Sequence, residues 1–199
     1  DNTVCEGSCW GIDSCVNLAN VVIHSYSCGG SHGSYAACLN YGVCLNVGNG
    51  RPGVEIGPNS CNGTEACMDA AYENTITIGA GSCNDGPGVC FEIGYGTKLA
   101  PVEVGDGSCN GDNSCDAACK NVEEGCIIGS GSCNGWCACD NVAESDTDKL
   151  IVGDNSCLGT VACEEFARIG QYAVSIGSNS CDGDWACKTL GYCAHGVFV

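Results

Sequence analysis

Basic side chains are scarce in this chain: 199 residues hold 6 lysines and arginines against 24 aspartates and glutamates, a net charge of -18. Such a surface repels the phosphates of nucleic acids and of anionic membranes, so neither is expected as a partner. No apolar run approaches the ~20 residues of a membrane-spanning helix, so no span is expected. Because the chain begins at Asp1 without methionine, it reads as a processed protein or a segment of a larger one. No C-x2-C pair occurs, and the single C-x-C, Cys137 and Cys139, belongs to one irregular repeat, so structural zinc lacks its usual knuckle.

What the sequence does have is cysteine, 22 residues of it, an even number and a density typical of a disulfide scaffold. Thiols at this density belong in an oxidising compartment, which predicts a secreted, extracellular or cell-surface protein. The cysteines fall in a recurring phrase, Ser-Cys-x-Gly-x-x-x-Cys with small variations, that returns eight times. Its first cysteines are Cys9, Cys28, Cys61, Cys83, Cys109, Cys133, Cys157 and Cys181. The interval is 24 residues from Cys109 onward and varies between 19 and 33 before it. A unit this short cannot bury a core alone, so successive units must stack.

The register of one unit predicts how it folds. Seven and five residues before the first cysteine stand Val21 and Ile23, Val54 and Ile56, Ile76 and Ile78, Val102 and Val104, Cys126 and Ile128, Leu150 and Val152, and Val174 and Ile176. The residue between them varies freely, which is the two-residue period of a strand with one buried face. Four residues before the cysteine a glycine recurs (Gly57, Gly79, Gly105, Gly129, Gly153, Gly177), read as a corner needing a backbone angle that other residues resist. Asn59, Gly81, Gly107, Gly131, Asn155 and Asn179 follow two positions later and also tolerate the left-handed region. A serine before the cysteine and an asparagine or aspartate after it (Asn62, Asn84, Asn110, Asn134, Asp182) suggest ladders of stacked side chains, the amides bonding to one another. Small residues at Ala19, Gly42, Ala71, Gly94, Cys119, Ala143, Ala167 and Gly191 imply a narrow interior. So little apolar area calls for disulfides to supply what the core cannot.

Spacing favours a bridge within each phrase: Cys9 with Cys15, Cys28 with Cys38, Cys61 with Cys67, Cys83 with Cys90, Cys109 with Cys115, Cys133 with Cys139, Cys157 with Cys163, and Cys181 with Cys187. Bridges between stacked equivalents are the alternative that spacing leaves open. Cys119 and Cys126 are expected to join each other. Cys5, Cys44, Cys137 and Cys193 have no obvious partner, and Cys5 and Cys193, near opposite ends, are candidates for an intermolecular bond.

The phrases Ile-Gly-Ser-Asn-Ser-Cys-Asp-Gly-Asp-Trp-Ala-Cys at 176 to 187 and Ile-Gly-Pro-Asn-Ser-Cys-Asn-Gly-Thr-Glu-Ala-Cys at 56 to 67 resemble cysteine-rich repeats of secreted and cell-surface proteins of diatoms, brown algae and related stramenopiles. The resemblance spans nearly the whole chain and implies an extracellular β-solenoid, with no activity attached. A weaker similarity is to the disulfide-braced solenoid antifreeze proteins of beetles, which present Thr-x-Thr ladders to ice. Only Thr75 and Thr77 form such a pair here.

Candidate chemistry is sparse. Asp116, Asp140 and Glu164 follow the second cysteine of three successive phrases, and stacked carboxylates about 4.8 Å apart could gather calcium, helped by Glu123 and Glu124. A solvated acidic edge is the plain alternative. Asp106 and Asp154 share a register, as an acidic pair of a β-helix polysaccharide hydrolase or lyase would, but Ser130 stands between them. His24, His32 and His195 form no catalytic arrangement with serine or cysteine. Trp10, Trp136 and Trp185 fall in the phrase loops, where an exposed indole could stack on sugars or a partner. Asn62-Gly63-Thr64 is a glycosylation sequon.

The expectation is one all-β domain over 1–199, a disulfide-braced β-solenoid of about eight coils of roughly 24 residues, irregular over 1–53 and regular over about 102–193. Each coil should carry two or three short strands. The expected role is non-enzymatic: an acidic extracellular structural or adhesive module, such as a building block of a surface filament, sheath or flagellar hair. It needs no cofactor, calcium apart, and its partners would be copies of itself, matrix proteins or glycans. Ice or carbohydrate binding, or a polysaccharide-cleaving β-helix, are the alternatives.

Overall fold

The computed structural model describes residues 2–6, 8–9, 15, 21–28, 53–67, 75–91, 101–116, 125–140, 149–165, 173–189 and 197–198. They form an all-β, disulfide-rich β-solenoid. Its strands are β1 (Thr3–Val4), β2 (Val21–Ile23), β3 (Val54–Ile56), β4 (Ile76–Ile78), β5 (Val102–Val104), β6 (Cys126–Ile128), β7 (Leu150–Val152), β8 (Val174–Ile176) and β9 (Val197–Phe198). All nine lie in one sheet in chain order, every neighbour parallel.

The pairing is in register, so like stands on like: Val54 on Ile76, Ile76 on Val102, Val102 on Cys126. Alternation along each three-residue strand then sends its first and third residues inward. Val21, Ile23, Ile56, Ile76 and Leu150 are fully buried, and the middle residues form an outer column of Val22, Glu55, Thr77, Glu103, Ile127, Ile151 and Ser175. Opposite the aliphatic column stand the half-cystines of the phrases, equally buried from Cys61 to Cys163. The core is therefore a thin sandwich of branched aliphatics against sulfur.

Among the described residues each repeat holds one strand, where two or three were expected; the phrase loops are turns and bends. The reason is backbone handedness. Both cysteines of each described bridge have positive φ, for example 54° at Cys133 and 57° at Cys139, and a residue in the left-handed region cannot continue a strand. Neighbouring coils still pair by backbone hydrogen bonds through these turns, as in Cys109 N–H to Ser132 C=O at 2.9 Å and Cys133 N–H to Ser156 C=O at 2.9 Å.

The corner glycines also differ from expectation. Gly57, Gly79, Gly105, Gly129 and Gly153 do not have positive φ; crowding selects them. A Cβ on Gly129 would stand 2.6 Å from the nitrogen of Asp154 and 2.7 Å from the carbonyl carbon of Gly153, both in the next coil. The second corner position behaves as its residue types suggest, with φ of 55° at Asn59, 65° at Gly107 and 51° at Asn155.

Two side-chain ladders lock the corners. From Ser27 to Ser156 the phrase serine's hydroxyl donates to the glycine carbonyl of the next coil, at 2.7 Å from Ser108 to Gly129 and from Ser156 to Gly177, and accepts the amide of the next serine. The asparagine ladder runs through the backbone, not from amide to amide. Asn110 Oδ1 accepts the Asn84 N–H at 2.9 Å, while Asn110 Nδ2 donates to the Gly81 carbonyl at 3.1 Å. Each such side chain thus ties two points of the preceding coil. The ladder of small residues that runs from Ala19 to Gly191 lies outside the described residues.

Candidate functional site

The cysteines set the frame for every other group. Bridges join Cys9 to Cys15, Cys61 to Cys67, Cys83 to Cys90, Cys109 to Cys115, Cys133 to Cys139, Cys157 to Cys163 and Cys181 to Cys187. Cys28 and Cys126 are disulfide-bonded. Cys38, Cys44, Cys119 and Cys193 lie outside the described residues. Stacking brings the sulfurs of Cys61, Cys67 and Cys83 within 4.8 Å of one another, and likewise those of Cys133, Cys139 and Cys157. All six are bridged, so they offer a metal no thiolate.

Cys5 and Cys137 are the free cysteines among the described residues. Cys5 is half-buried and occupies, on the first coil, the corner register that glycine fills from Gly57 onward; its N–H bonds the Ile23 carbonyl at 2.9 Å. Cys137 is buried in the phrase loop, at the register of Asn113 and Val161. Burial pushes its thiol above the ordinary value, the charges of Asp140 and Glu164 push it further, a hydrogen bond with the Asn113 side chain opposes them, and Asp116 adds a weaker push.

The acidic ladder comes together, and the structure adds a member the sequence reading missed. Lys188 stands in the register of Asp116, Asp140 and Glu164, immediately after the second cysteine of its phrase. Its ammonium lies 2.6 Å from Glu164 Oε2, both side chains mostly buried. The third carboxylate therefore already holds a cation. Extending the register by one phrase would have found it. Glu123 and Glu124 lie outside the described residues.

Asp106 and Asp154 serve the stack. Asp106 Oδ1 accepts the Ala80 N–H and Asp154 Oδ1 the Ser130 N–H, both at 2.8 Å, each capping a corner of the preceding coil. His24 pairs with Glu55 at 3.0 Å on the surface; His32 and His195 lie outside the described residues. Asn62 is held inside the ladder, its N–H on Asn84 Oδ1 at 2.9 Å and its Nδ2 on the Tyr26 carbonyl at 3.4 Å.

Among the described residues Trp136 and Trp185 are the most exposed large apolar groups, at 52% and 60%. Trp10 lies outside the described residues. The backbone fixes where the other two stand. Val161 N–H bonds the Trp136 carbonyl at 2.7 Å, and Trp185 N–H bonds the Thr160 carbonyl at 2.8 Å, so one coil separates the loops that bear them. Trp185 has φ of 63°, as Cys137 and Val161 do at 51° and 62° in the same loop register, and Lys188 Nζ sits 4.5 Å from its ring centroid. Glu164 holds the lysine and the lysine holds the indole. Exposed aromatic area on a stiff edge, among polar neighbours, is a surface on which a ligand can stack.

Residues 102–195 match a family model described as a domain of unknown function (DUF7640), to which that stretch is similar. No curated protein and no solved structure matches the chain.

Proposed function

We propose that the chain is a non-enzymatic extracellular structural or adhesive module, a rigid acidic rod of about eight coils of roughly 24 residues, of the kind found in stramenopile surface proteins. One observation carries this reading: side chains that recur in register are engaged in holding coil to coil. Ser108 and Ser132 clamp the next corner, Asn84 and Asn110 tie the preceding one, and Asp106 and Asp154 cap it. Disulfides within the phrases complete the brace. Crosslinks this dense suit an oxidising, secreted setting. Among the described residues no helix is long and apolar enough to cross a membrane.

Such a rod would work by stacking with other copies or with matrix proteins into a filament or sheath. Head-to-tail contacts propagate unless their rotation closes a ring, and a bond from Cys5 of one copy to Cys193 of the next would lock them. Non-reducing mass spectrometry of the native material tests this. Peptides linking Cys5 to Cys193, or filaments in electron micrographs, support the filament reading. Wholly local bridges in a particle that stays monomeric at every concentration would sink it.

A further inference from the structure

We propose that the edge carrying Trp136 and Trp185 is the adhesive surface of the rod and takes a neutral polysaccharide chain. This rests on the adhesive side of the function proposed above.

Both indoles project from phrase loops of the same edge, more than half exposed, although the neighbouring Val161 and Cys137 are buried. A solitary exposed apolar residue needs no explanation, but two large aromatics two coils apart on one edge form a patterned apolar surface. Coil spacing puts them about 9.6 Å apart along the rod axis, on the scale of two linked pyranose rings. The C–H face of a pyranose packs against an indole, and its hydroxyls bond polar groups beside the ring. Thr160 and Asp184 supply such groups: they occupy the loop register of Trp136 on the next two coils, and the Asp184 carboxylate accepts the Thr160 N–H at 2.9 Å.

Preorganisation is the second, independent sign. The Trp185 ring lies under an ammonium that a mostly buried carboxylate fixes from the other side. Fixing the ring beforehand reduces the entropy lost on binding. Charge selects the polymer class. With a net charge of -18, and Asp140 and Asp184 on the coils that bear the two tryptophans, the edge repels uronate and sulfate chains. Neutral glycans carry no such cost.

The test is retention of the purified chain on microcrystalline cellulose and on an insoluble β-1,3-glucan, with alginate gel as the anionic polymer. At least one neutral glucan should retain the parent and alginate should not. Trp136→Ala and Trp185→Ala should each lower retention about tenfold or more, as loss of a central aromatic anchor does, while Trp136→Phe keeps part of it. Lys188→Met should weaken binding by a smaller factor, because the ring survives but is no longer held. Thermal unfolding of the same samples reports folding separately: the indoles are exposed, so their loss should leave the melting temperature near that of the parent, whereas Lys188→Met should melt lower. Retention on neither glucan, stronger retention on alginate, or retention indifferent to both tryptophans overturns the proposal. A parent that stays folded yet binds no glucan refutes the glycan surface and leaves the scaffold standing.

Discussion

The hydroxyl of Ser132 donates to the carbonyl of Gly153 at 2.6 Å and accepts the amide of Ser156 at 3.1 Å, so one buried side chain holds two points of the coil above it. Replacing Ser132 with alanine leaves a partly buried carbonyl and a buried amide each short of a partner. The expected cost is about 1–3 kcal/mol. Denaturant titration of Ser132→Ala measures it, and a change below about 0.5 kcal/mol would show that the ladder contributes little, since that is the size of ordinary surface substitutions.

The two kinds of corner glycine should respond differently. At Gly129 an alanine methyl meets the backbone of Asp154 and Gly153, which can yield only by separating two coils. Gly129→Ala should cost about 1–3 kcal/mol or more by overpacking. At Gly107 nothing lies within 4 Å of a Cβ, and asparagine occupies the same register at Asn155 with φ of 51°. Gly107→Asn should therefore be close to neutral, and Gly107→Ala should lose about 1 kcal/mol for its left-handed backbone. Equal losses at Gly129 and Gly107 would contradict crowding as the reason for the first.

The sheet was legible because its determinants are local and periodic: Val102-Glu103-Val104 alternates, and its equivalents alternate in the same register. Asn59, Gly107 and Asn155 were legible as left-handed corners for the same kind of reason, since few residue types tolerate that region. The cysteines at positive φ were not, because cysteine has no preference for it; the bridge and the stacked coils hold Cys133 and Cys139 there. Gly129 was placed correctly and explained wrongly, since its neighbour in space, Asp154, is 25 positions away. The candidate edge was half legible. Trp136 and Trp185 stand out as residue types, but the ring's support by Lys188 and Glu164 depends on which side chains stacking brings together.

Lys188 changes what the acidic ladder can do. Because its ammonium sits 2.6 Å from Glu164 Oε2, millimolar calcium should hardly move the melting temperature of the parent. Lys188→Met leaves that mostly buried carboxylate uncompensated beside Asp140 and should destabilise the fold by about 1–3 kcal/mol. Calcium should then recover part of the loss, because it binds the folded ladder and not the unfolded chain. Calorimetry of parent and variant with calcium and with chelator decides the matter. A large calcium shift in the parent would mean that Asp116 and Asp140 bind the ion without help from Glu164.

Cys137 gives the stability a pH dependence of known sign. Burial first, and then the charges of Asp140 and Glu164, raise its thiol above the ordinary range, so the folded chain keeps this proton where the unfolded chain has released it. Below about pH 8.5, the usual cysteine value, both states are protonated and the group contributes no pH dependence. Above it the unfolded state binds fewer protons than the folded one, so stability falls as pH rises, until the folded thiol ionises in turn. Val161 fills the same loop register at φ of 62°, so Cys137→Val is a replacement the backbone already accommodates one coil away. Denaturant titrations between pH 7 and pH 10 should show a decline in the parent that is smaller in Cys137→Val. Identical alkaline profiles for the two proteins would show that the buried thiol contributes nothing to it.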